Sequence, residues 1–226
     1  MARWTGRADG DQRGLGTGPD AGTTDPVRRL RQVHGARVLV VGSPRDPAPD
    51  GPADLAAWSP DDDGRPPAGD AIVARAGPGR LAVLTADCAA LALGSPEGVH
   101  GAVHAGWRGL GAGVIERSVT AARALGASTV VAGLGPCIGP CCYEFSPADL
   151  DPLAALYGSS VVGRTSVGRP ALDLPAAVRA ALARVGVDLV HDGAACTACT
   201  APSYSHRARA EPERQALLVW AETGPP

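Results

Sequence analysis

Three side chains that commonly bind metals stand at the ends of predicted elements. Cys88 ends an apolar stretch that begins at Leu81, and His104 ends another, which begins at Val99. His34 is the best third donor, and neighbouring strands would let all three converge on one ion. Two imidazoles and a thiolate with an open fourth position are typical of catalytic zinc sites, whereas four protein ligands close a structural site. For each side chain alone, a hydrogen-bonded histidine or a buried free thiol is the alternative interpretation.

A glycine-rich turn follows His104 and predicts an anion site beside the metal. The turn leads through Trp107 and Arg108 into a predicted helix. The first N–H groups of a helix and the positive end of its dipole favour a phosphate or a carboxylate, and Arg108 lies in this first turn. The alternative is that Trp107 packs in the core while Arg108 pairs with a carboxylate.

Five further cysteines fall into two motifs. They are Cys137, Cys141 and Cys142 in the segment 135–144, and Cys196 and Cys199 in a CxxC pair. Vicinal cysteines do not easily bind one ion together, and the glycines and prolines around them indicate a tight backbone crossing with the thiols as small packing groups. A single CxxC pair without a second pair is a weak metal signal. Neither motif by itself is therefore assigned to a metal.

The elements that must position these residues are mostly short strands. Strands are predicted at 36–41, 71–75, 81–85, 89–93, 99–103, 129–134, 187–190 and 216–220. Helices are predicted at 25–32, at 107–125, from 146 onward and at 175–185, the last two with N-caps at Ser146 and Asp173. The proline- and aspartate-rich stretch 42–69 is predicted to be a long surface loop. Because strands outnumber helices and rarely alternate with them, the predicted fold class is α+β.

Length and composition exclude several classes of protein. The 226 residues, 45% of them hydrophobic and 19% charged, suit a soluble single domain. The 21 basic and 23 acidic residues leave a formal charge of −2, which does not favour nucleic acid as a partner. The absence of lysine excludes a Schiff-base or phosphate-loop lysine. With no signal-like segment and no apolar run of roughly 18 residues, we expect a cytoplasmic protein without a membrane partner.

Five motifs taken together resemble those of the bacterial laccase-domain family. They are Gln32-Val33-His34-Gly35, Thr85-Ala86-Asp87-Cys88, His104-Ala105-Gly106-Trp107-Arg108-Gly109, the segment 135–144 and Cys196-Thr197. Members of this family were once called polyphenol oxidases and are now regarded as multifunctional, zinc-dependent purine nucleoside enzymes. The resemblance extends from about residue 30 to residue 222.

This resemblance implies a fold, a metal and an activity. The fold is a single-domain αββα layered sandwich over residues 1–226, with mixed, largely antiparallel sheets and a shortened, poorly patterned segment at 1–25. The metal is Zn²⁺, held by His34, Cys88 and His104. The activity is phosphorolysis of adenosine, inosine, guanosine and methylthioadenosine to the base and ribose 1-phosphate, together with adenosine deamination. The implied partners are purine nucleosides and phosphate, and the expected assembly is a monomer or a weak homodimer.

Further residues take roles in the hypothetical reaction. Phosphate is expected near the helix start and Arg108, with Arg207 assisting, and Ser205 lies in the same family-like motif as Arg207. The catalytic candidates are Cys88 and its neighbour Asp87, which would either transfer a proton or orient a ligand histidine.

Three other functions compete with this hypothesis. A blue-copper oxidase usually has an axial methionine, whereas the only methionine is Met1, and a trinuclear copper cluster needs more than the five histidines present. A metal-independent cysteine hydrolase or transferase would use Cys88 as nucleophile and His104 as base. In a non-enzymatic or catalytically degenerate zinc protein, the ion would only hold strand ends together.

Overall fold

The computed structural model describes residues 1–15, 26–42, 56–75, 77 and 79–221. The strands are β1 (Ala2–Trp4), β2 (Val27–Arg29), β3 (Val38–Val41), β4 (Ala56–Ala57), β5 (Ala71–Ala74), β6 (Arg80–Thr85), β7 (Ala89–Gly94), β8 (His100–Ala105), β9 (Val131–Leu134), β10 (Val162–Arg164), β11 (Pro170–Leu172), β12 (Asp188–Asp192) and β13 (Gln215–Val219). The helices are α1 (Trp107–Gly111), α2 (Val114–Ala124), α3 (Pro147–Tyr157), α4 (Leu174–Arg184) and α5 (His206–Arg209). Within the described ranges, none of these helices has the length and apolar character needed to cross a membrane.

Two sheets and a small ribbon contain all the strands. The larger sheet has seven strands in the order β12-β9-β7-β8-β5-β3-β4, and the smaller has four in the order β1-β13-β6-β2. Strands β10 and β11 form the ribbon. Both sheets mix parallel and antiparallel neighbours, and antiparallel pairs are the more numerous. At the N terminus β1 pairs with β13, so the first residues of the chain belong to the smaller sheet.

The apolar side chains build a layered sandwich. Strand β6 alternates, with Leu81 and Val83 in the core between the two sheets and Ala82 in a separate cluster on the opposite face. The other face of the seven-stranded sheet carries Leu91, which packs in one core with helix residues such as Ile115. Complete burial of a leucine or isoleucine stabilises the fold by about 1.5–3 kcal/mol. The α+β class and the layered, mixed-sheet sandwich are therefore confirmed.

The helix predicted at 25–32 is wrong. Asp25 lies outside the described residues, and Val27–Arg29 form strand β2, which runs parallel to β6. The N–H of Arg80 donates to the carbonyl of Pro26 at 2.9 Å, which extends this pairing by one residue. An aspartate and a proline are a local signal for a helix start, and pairing with a buried strand overrides it.

The single helix predicted at 107–125 is two helices. Gly113 separates α1 from α2 with a φ of 79°, a left-handed conformation that glycine adopts without steric cost. The predicted N-caps of the two later helices are confirmed, since Ser146 accepts the N–H of Asp149 and Asp173 accepts the N–H of Ala176. In the predicted loop 42–69, residues 56–57 form the edge strand β4, and residues 43–55 lie outside the described residues.

Candidate metal centre and substrate cleft

The structure brings His34, Cys88 and His104 together. Strands β7 and β8 are antiparallel neighbours with Ala90 opposite His104, so Cys88, just before β7, lies beside the end of β8. His34 comes from the loop before β3, and its ring meets that of His104 edge-on at a centroid distance of 4.9 Å. One ligand atom of each residue lies within 4.8 Å of the other two. The predicted convergence is therefore present.

Asp70, which was not predicted from the sequence, orients this group of ligands. Its fully buried carboxylate lies 2.9 Å from Nδ1 of His104, an arrangement that leaves Nε2 of His104 for a metal. The same carboxylate accepts the backbone N–H groups of Val33, His34 and Gly35 at 2.7–3.1 Å. The sequence contains one signal for this role, since Asp70 directly precedes a wholly apolar strand. An aspartate at such a position is expected to be buried, and a buried carboxylate needs hydrogen-bond partners.

The backbone at His34 depends on the same carboxylate. His34 has a φ of 59°, a left-handed conformation that is uncommon for residues other than glycine. Three successive N–H groups then point to one side and form an anion-binding nest, which Asp70 fills. One buried side chain thus sets both the position of the His34 loop and the ring orientation of His104.

The electrostatics of the metal-free site favour a thiolate paired with an imidazolium. Burial alone raises the pKa of Cys88, but the charge of His104 and hydrogen bonds with His104 and His34 lower it to about 6. Burial lowers the pKa of His104, whereas the Cys88 thiolate and the Asp70 carboxylate raise it to about 9. Burial also raises the pKa of Asp70, but its bonds with His104, Gly35 and His34 outweigh this and hold the pKa below its usual value.

The lowered pKa of Cys88 predicts its alkylation profile. In metal-free protein, the rate of its reaction with iodoacetamide is expected to rise through about pH 6, because the thiolate is the nucleophile. Added Zn²⁺ is expected to suppress the reaction. Mass spectrometry of digested protein resolves each cysteine, and Cys137, whose burial raises its pKa, is the internal control. A midpoint for Cys88 near the ordinary thiol value of about 8.5 would contradict this assignment.

Space for an ion between the ligands depends on Gly106. A Cβ atom at this position would lie 3.1 Å from Sγ of Cys88 and 3.1 Å from Cδ2 of His34, closer than side chains normally approach. The donor set of two imidazoles and one thiolate, with a carboxylate behind one imidazole, fits a divalent ion such as zinc. The arrangement can hold a metal with a coordination position left for a reactant.

Asp87 bonds to residues near the C terminus and not to the ligand histidines. It has a φ of 105°, and its carboxylate accepts the hydroxyl of Thr197 and the backbone N–H of Arg207, both at 2.6 Å. The contact that orients a ligand histidine therefore comes from Asp70, whereas Asp87 ties two C-terminal segments to the turn that carries Cys88.

A wide cleft opens in front of the three ligands. Its volume of about 1590 Å³ exceeds the roughly 300–1,000 Å³ of common small-molecule pockets, so the cleft has room for more than one small molecule. The ligand group lines it together with Arg108, Tyr143, His206 and Arg207. The guanidinium carbon of Arg108 lies 4.3 Å from the ring centroid of Trp107, and that of Arg207 lies 5.3 Å from the centroid of Tyr143.

The remaining predicted residue, Ser205, has a supporting position. It is fully buried, and its hydroxyl accepts the N–H of Ala208, which caps α5 and so positions Arg207. Its backbone N–H donates to Glu211 at 2.7 Å. Ser205 is therefore placed behind the wall of the cleft, whereas Arg207 is part of that wall.

Comparison with known proteins gives consistent matches over most of the chain. Residues 19–222 match a family model described as multi-copper polyphenol oxidoreductase laccase. A purine nucleoside phosphorylase of Streptomyces coelicolor is 38% identical over 206 residues, which are 88% of this chain and 77% of the relative. A purine nucleoside phosphorylase of Mycobacterium tuberculosis is 35% identical over 197 residues, 85% of this chain and 71% of the relative.

Solved structures match the fold as well. The crystal structure of YlmD from Geobacillus stearothermophilus has a TM-score of 0.69 and 30% identity, covering 87% of this chain and 73% of that one. The protein NMB0706 of Neisseria meningitidis has a TM-score of 0.68 and 28% identity, covering 87% and 75% of the two chains. The layered sandwich is thus shared with proteins solved by crystallography.

Proposed function

The chain belongs to the family described as multi-copper polyphenol oxidoreductase laccase, and from this premise we propose that it is a zinc-dependent purine nucleoside phosphorylase. The names of its relatives support the reaction. The observation that carries the proposal is the placement of three metal-ligand side chains and two arginines on one cleft of sufficient size. Adenosine, inosine, guanosine and methylthioadenosine are the proposed substrates, with deamination of adenosine as a second activity.

In the proposed reaction, a phosphate oxygen forms a bond to C1′ of the ribose while the bond from C1′ to the purine nitrogen breaks. The electron pair of that bond leaves with the purine, which takes up the proton that hydrogen phosphate gives up as it becomes the ester. A zinc ion bound by His34, Cys88 and His104 would supply Lewis-acid chemistry. Arg108 and Arg207 would bind the phosphate by charge-assisted hydrogen bonds. In the part of the chain that the structure describes, neither guanidinium forms an ion pair with a carboxylate, so both charges are available.

Contacts around each arginine favour one position of its side chain. The side chain of Arg207 donates to the carbonyl of Glu144 at 2.8 Å, and its backbone is held by Asp87. Arg108 stacks on Trp107, which in turn meets the ring of Phe145 at 5.4 Å. Preorganised charges of this kind stabilise developing charge without reorganisation during the reaction. We propose that Asp87 is a positioning residue that acts through Arg207.

Product analysis tests the activity, and an arginine variant tests the phosphate site. Incubation with adenosine and phosphate is expected to yield adenine and ribose 1-phosphate, with inosine if deamination also occurs. Arg108→Gln is expected to raise the KM for phosphate by about tenfold or more, since a hydrogen bond to a charged group contributes roughly 1.5–3 kcal/mol. Arg164→Gln, an exposed arginine on β10, is the matched control. The absence of any product from all four nucleosides would contradict the proposal and favour a degenerate paralogue.

A second candidate function follows from the thiolate at Cys88. The pKa of about 6 and the adjacent His104 also suit a nucleophilic cysteine in a hydrolase or transferase. Such an enzyme would keep its activity in the presence of chelators and lose it on alkylation. The observation against it is the third ligand, His34, which a cysteine–histidine pair does not need.

The family description names copper oxidases, but the positions of the histidines do not suit a multicopper cluster. Trp4 stacks on His191, and buried His100 contacts the carbonyl of Gly98 at the far end of β8. His206 lines the cleft without joining the ligand group. Among the described residues, the histidines are thus too dispersed for a multicopper cluster.

A further inference from the structure

Four cysteines from two separate motifs meet at a second position. Cys141 and Cys142 follow Pro140 in a short 3₁₀ turn, and Cys196 and Cys199 lie in the loop after β12. Their four sulfur atoms all lie within 4.8 Å of one another. We propose that these residues form a second metal site, which binds Zn²⁺ through four thiolates. This proposal does not depend on the proposed enzymatic function.

The sulfur positions suit tetrahedral zinc better than a disulfide. Sγ of Cys199 lies 3.5 Å from Sγ of Cys141 and 3.4 Å from Sγ of Cys142. Zinc–sulfur bonds of about 2.3 Å place the sulfurs of a tetrahedral site about 3.8 Å apart. A disulfide requires a separation of about 2.05 Å. Small adjustments of the side chains are therefore sufficient to close the site around one ion.

The backbone brings the two motifs together without using the thiols. The N–H of Cys137 donates to the carbonyl of Ala195, and the N–H of Thr197 donates to the carbonyl of Cys137, both at 3.2 Å. The CxxC loop is closed by bonds from the N–H groups of Cys199 and Thr200 to the carbonyl of Cys196. The two motifs are far apart in the sequence, and the structure makes them one cluster in which the sulfurs of both Cys141 and Cys142 lie near that of Cys199.

The surroundings of Cys196 support its role as a thiolate ligand. The N–H of Gly139 donates to Sγ of Cys196 at 3.2 Å, and such outer hydrogen bonds stabilise the charge of metal-bound sulfur. A Cβ at Gly139 would lie 3.3 Å from Cβ of Cys196, so glycine allows this approach. The guanidinium of Arg209 donates to the carbonyls of Thr197 and Ala198, which places a positive charge beside the CxxC loop. Four thiolates and one Zn²⁺ carry a charge of about −2. Arg209 also forms an ion pair with Glu211 at 3.0 Å, so its charge is shared with that carboxylate.

The proposed role of this ion is structural. Four protein ligands leave no open position for a reactant. The loop that the ion would hold contains Thr197, whose hydroxyl bonds to Asp87 at 2.6 Å, next to the first ligand group. The second zinc would therefore stabilise the wall of the cleft.

Counting zinc in separate variants tests the proposal. Protein prepared in reducing buffer with Zn²⁺ and then desalted is expected to hold two zinc ions per chain. Cys88→Ala, which disrupts the first site, is expected to hold one, with X-ray absorption showing only sulfur ligands at about 2.3 Å. The double variant Cys196→Ser/Cys199→Ser is expected to hold one ion with mixed nitrogen and sulfur ligands. Cys137→Ala, a thiol next to the cluster, is the matched control and is expected to hold two.

The Cys88→Ala variant decides the outcome even if the double variant fails to fold. If Cys88→Ala holds no zinc, the second site does not exist, whether thiol titration of the unfolded variant then finds its five cysteines free or a disulfide among them. A bound zinc with nitrogen ligands in this variant would also overturn the proposal. These measurements count the bound zinc and its ligands and do not depend on catalysis. The second site can therefore be present in a protein that lacks phosphorolysis, and phosphorolysis can occur in a protein that lacks the second site.

Discussion

Replacement of His34 by asparagine is expected to abolish metal retention at the first site and phosphorolysis together. One of the three ligands is lost, while asparagine tolerates the left-handed backbone that this position requires, with a φ of 59°. Because a metal contributes several kcal/mol to stabilisation of a transition state, kcat/KM is expected to fall by at least about 1000-fold. Zinc analysis and product chromatography on the same preparation measure both effects.

This variant also separates the proposed enzyme from its main rival. A cysteine hydrolase would use Cys88 and His104, so it would keep most of its activity without His34. Cys88→Ala, in contrast, removes activity under either hypothesis, and Cys137→Ala is the control for loss of a buried thiol. Full turnover by metal-free His34→Asn protein would refute the zinc mechanism.

Replacement of Asp70 by alanine is expected to cause the largest loss of stability. Three backbone N–H groups and Nδ1 of His104 would lose their acceptor, and an unsatisfied buried polar group costs about 1–3 kcal/mol. We therefore expect the free energy of unfolding to fall by at least about 3 kcal/mol, and zinc affinity at the first site to fall by roughly 10- to 100-fold. Urea titration and competition with a chromophoric chelator measure the two quantities.

A conservative variant and an exposed aspartate provide the comparison. Asp70→Asn keeps one acceptor oxygen and is expected to lose less stability and less zinc affinity than Asp70→Ala. Asp61 accepts two backbone N–H groups in an exposed turn, so Asp61→Ala is expected to change the free energy of unfolding by less than about 1 kcal/mol. If Asp70→Ala and Asp61→Ala lowered the free energy of unfolding equally, Asp70 would not have the stabilising role proposed for it.

The contribution of Asp70 to the free energy of unfolding depends on pH. The pKa of Asp70 is lower in the folded protein than in the unfolded chain. The stabilisation is therefore present above the unfolded-state pKa of about 3.9 and is lost as the pH falls through the folded-state pKa. The difference in unfolding free energy between the natural protein and Asp70→Asn is therefore expected to shrink below about pH 4.

Several strands of the seven-stranded sheet could be predicted closely from the sequence, although β4 could not. The strands predicted at 71–75 and 89–93 correspond to β5 and β7, because a buried strand is a short apolar run bounded by glycine, proline or aspartate. The caps at Ser146 and Asp173 were also predictable, since their hydrogen bonds are local. The helix predicted at 25–32 failed because the partner of that segment, β6, lies far along the chain.

The sequence by itself determined which residues have the chemistry of the site: two imidazoles and a thiolate at the ends of predicted elements, with an arginine following one of them. Only the tertiary structure decided what holds them, because the partners are distant in the chain. Asp70 meets His104 across 34 positions, and the cysteine motifs at 141–142 and 196–199 meet across more than 50. Residue type is a local property, whereas the pairing of a buried carboxylate or thiol depends on which strands and loops the fold places side by side.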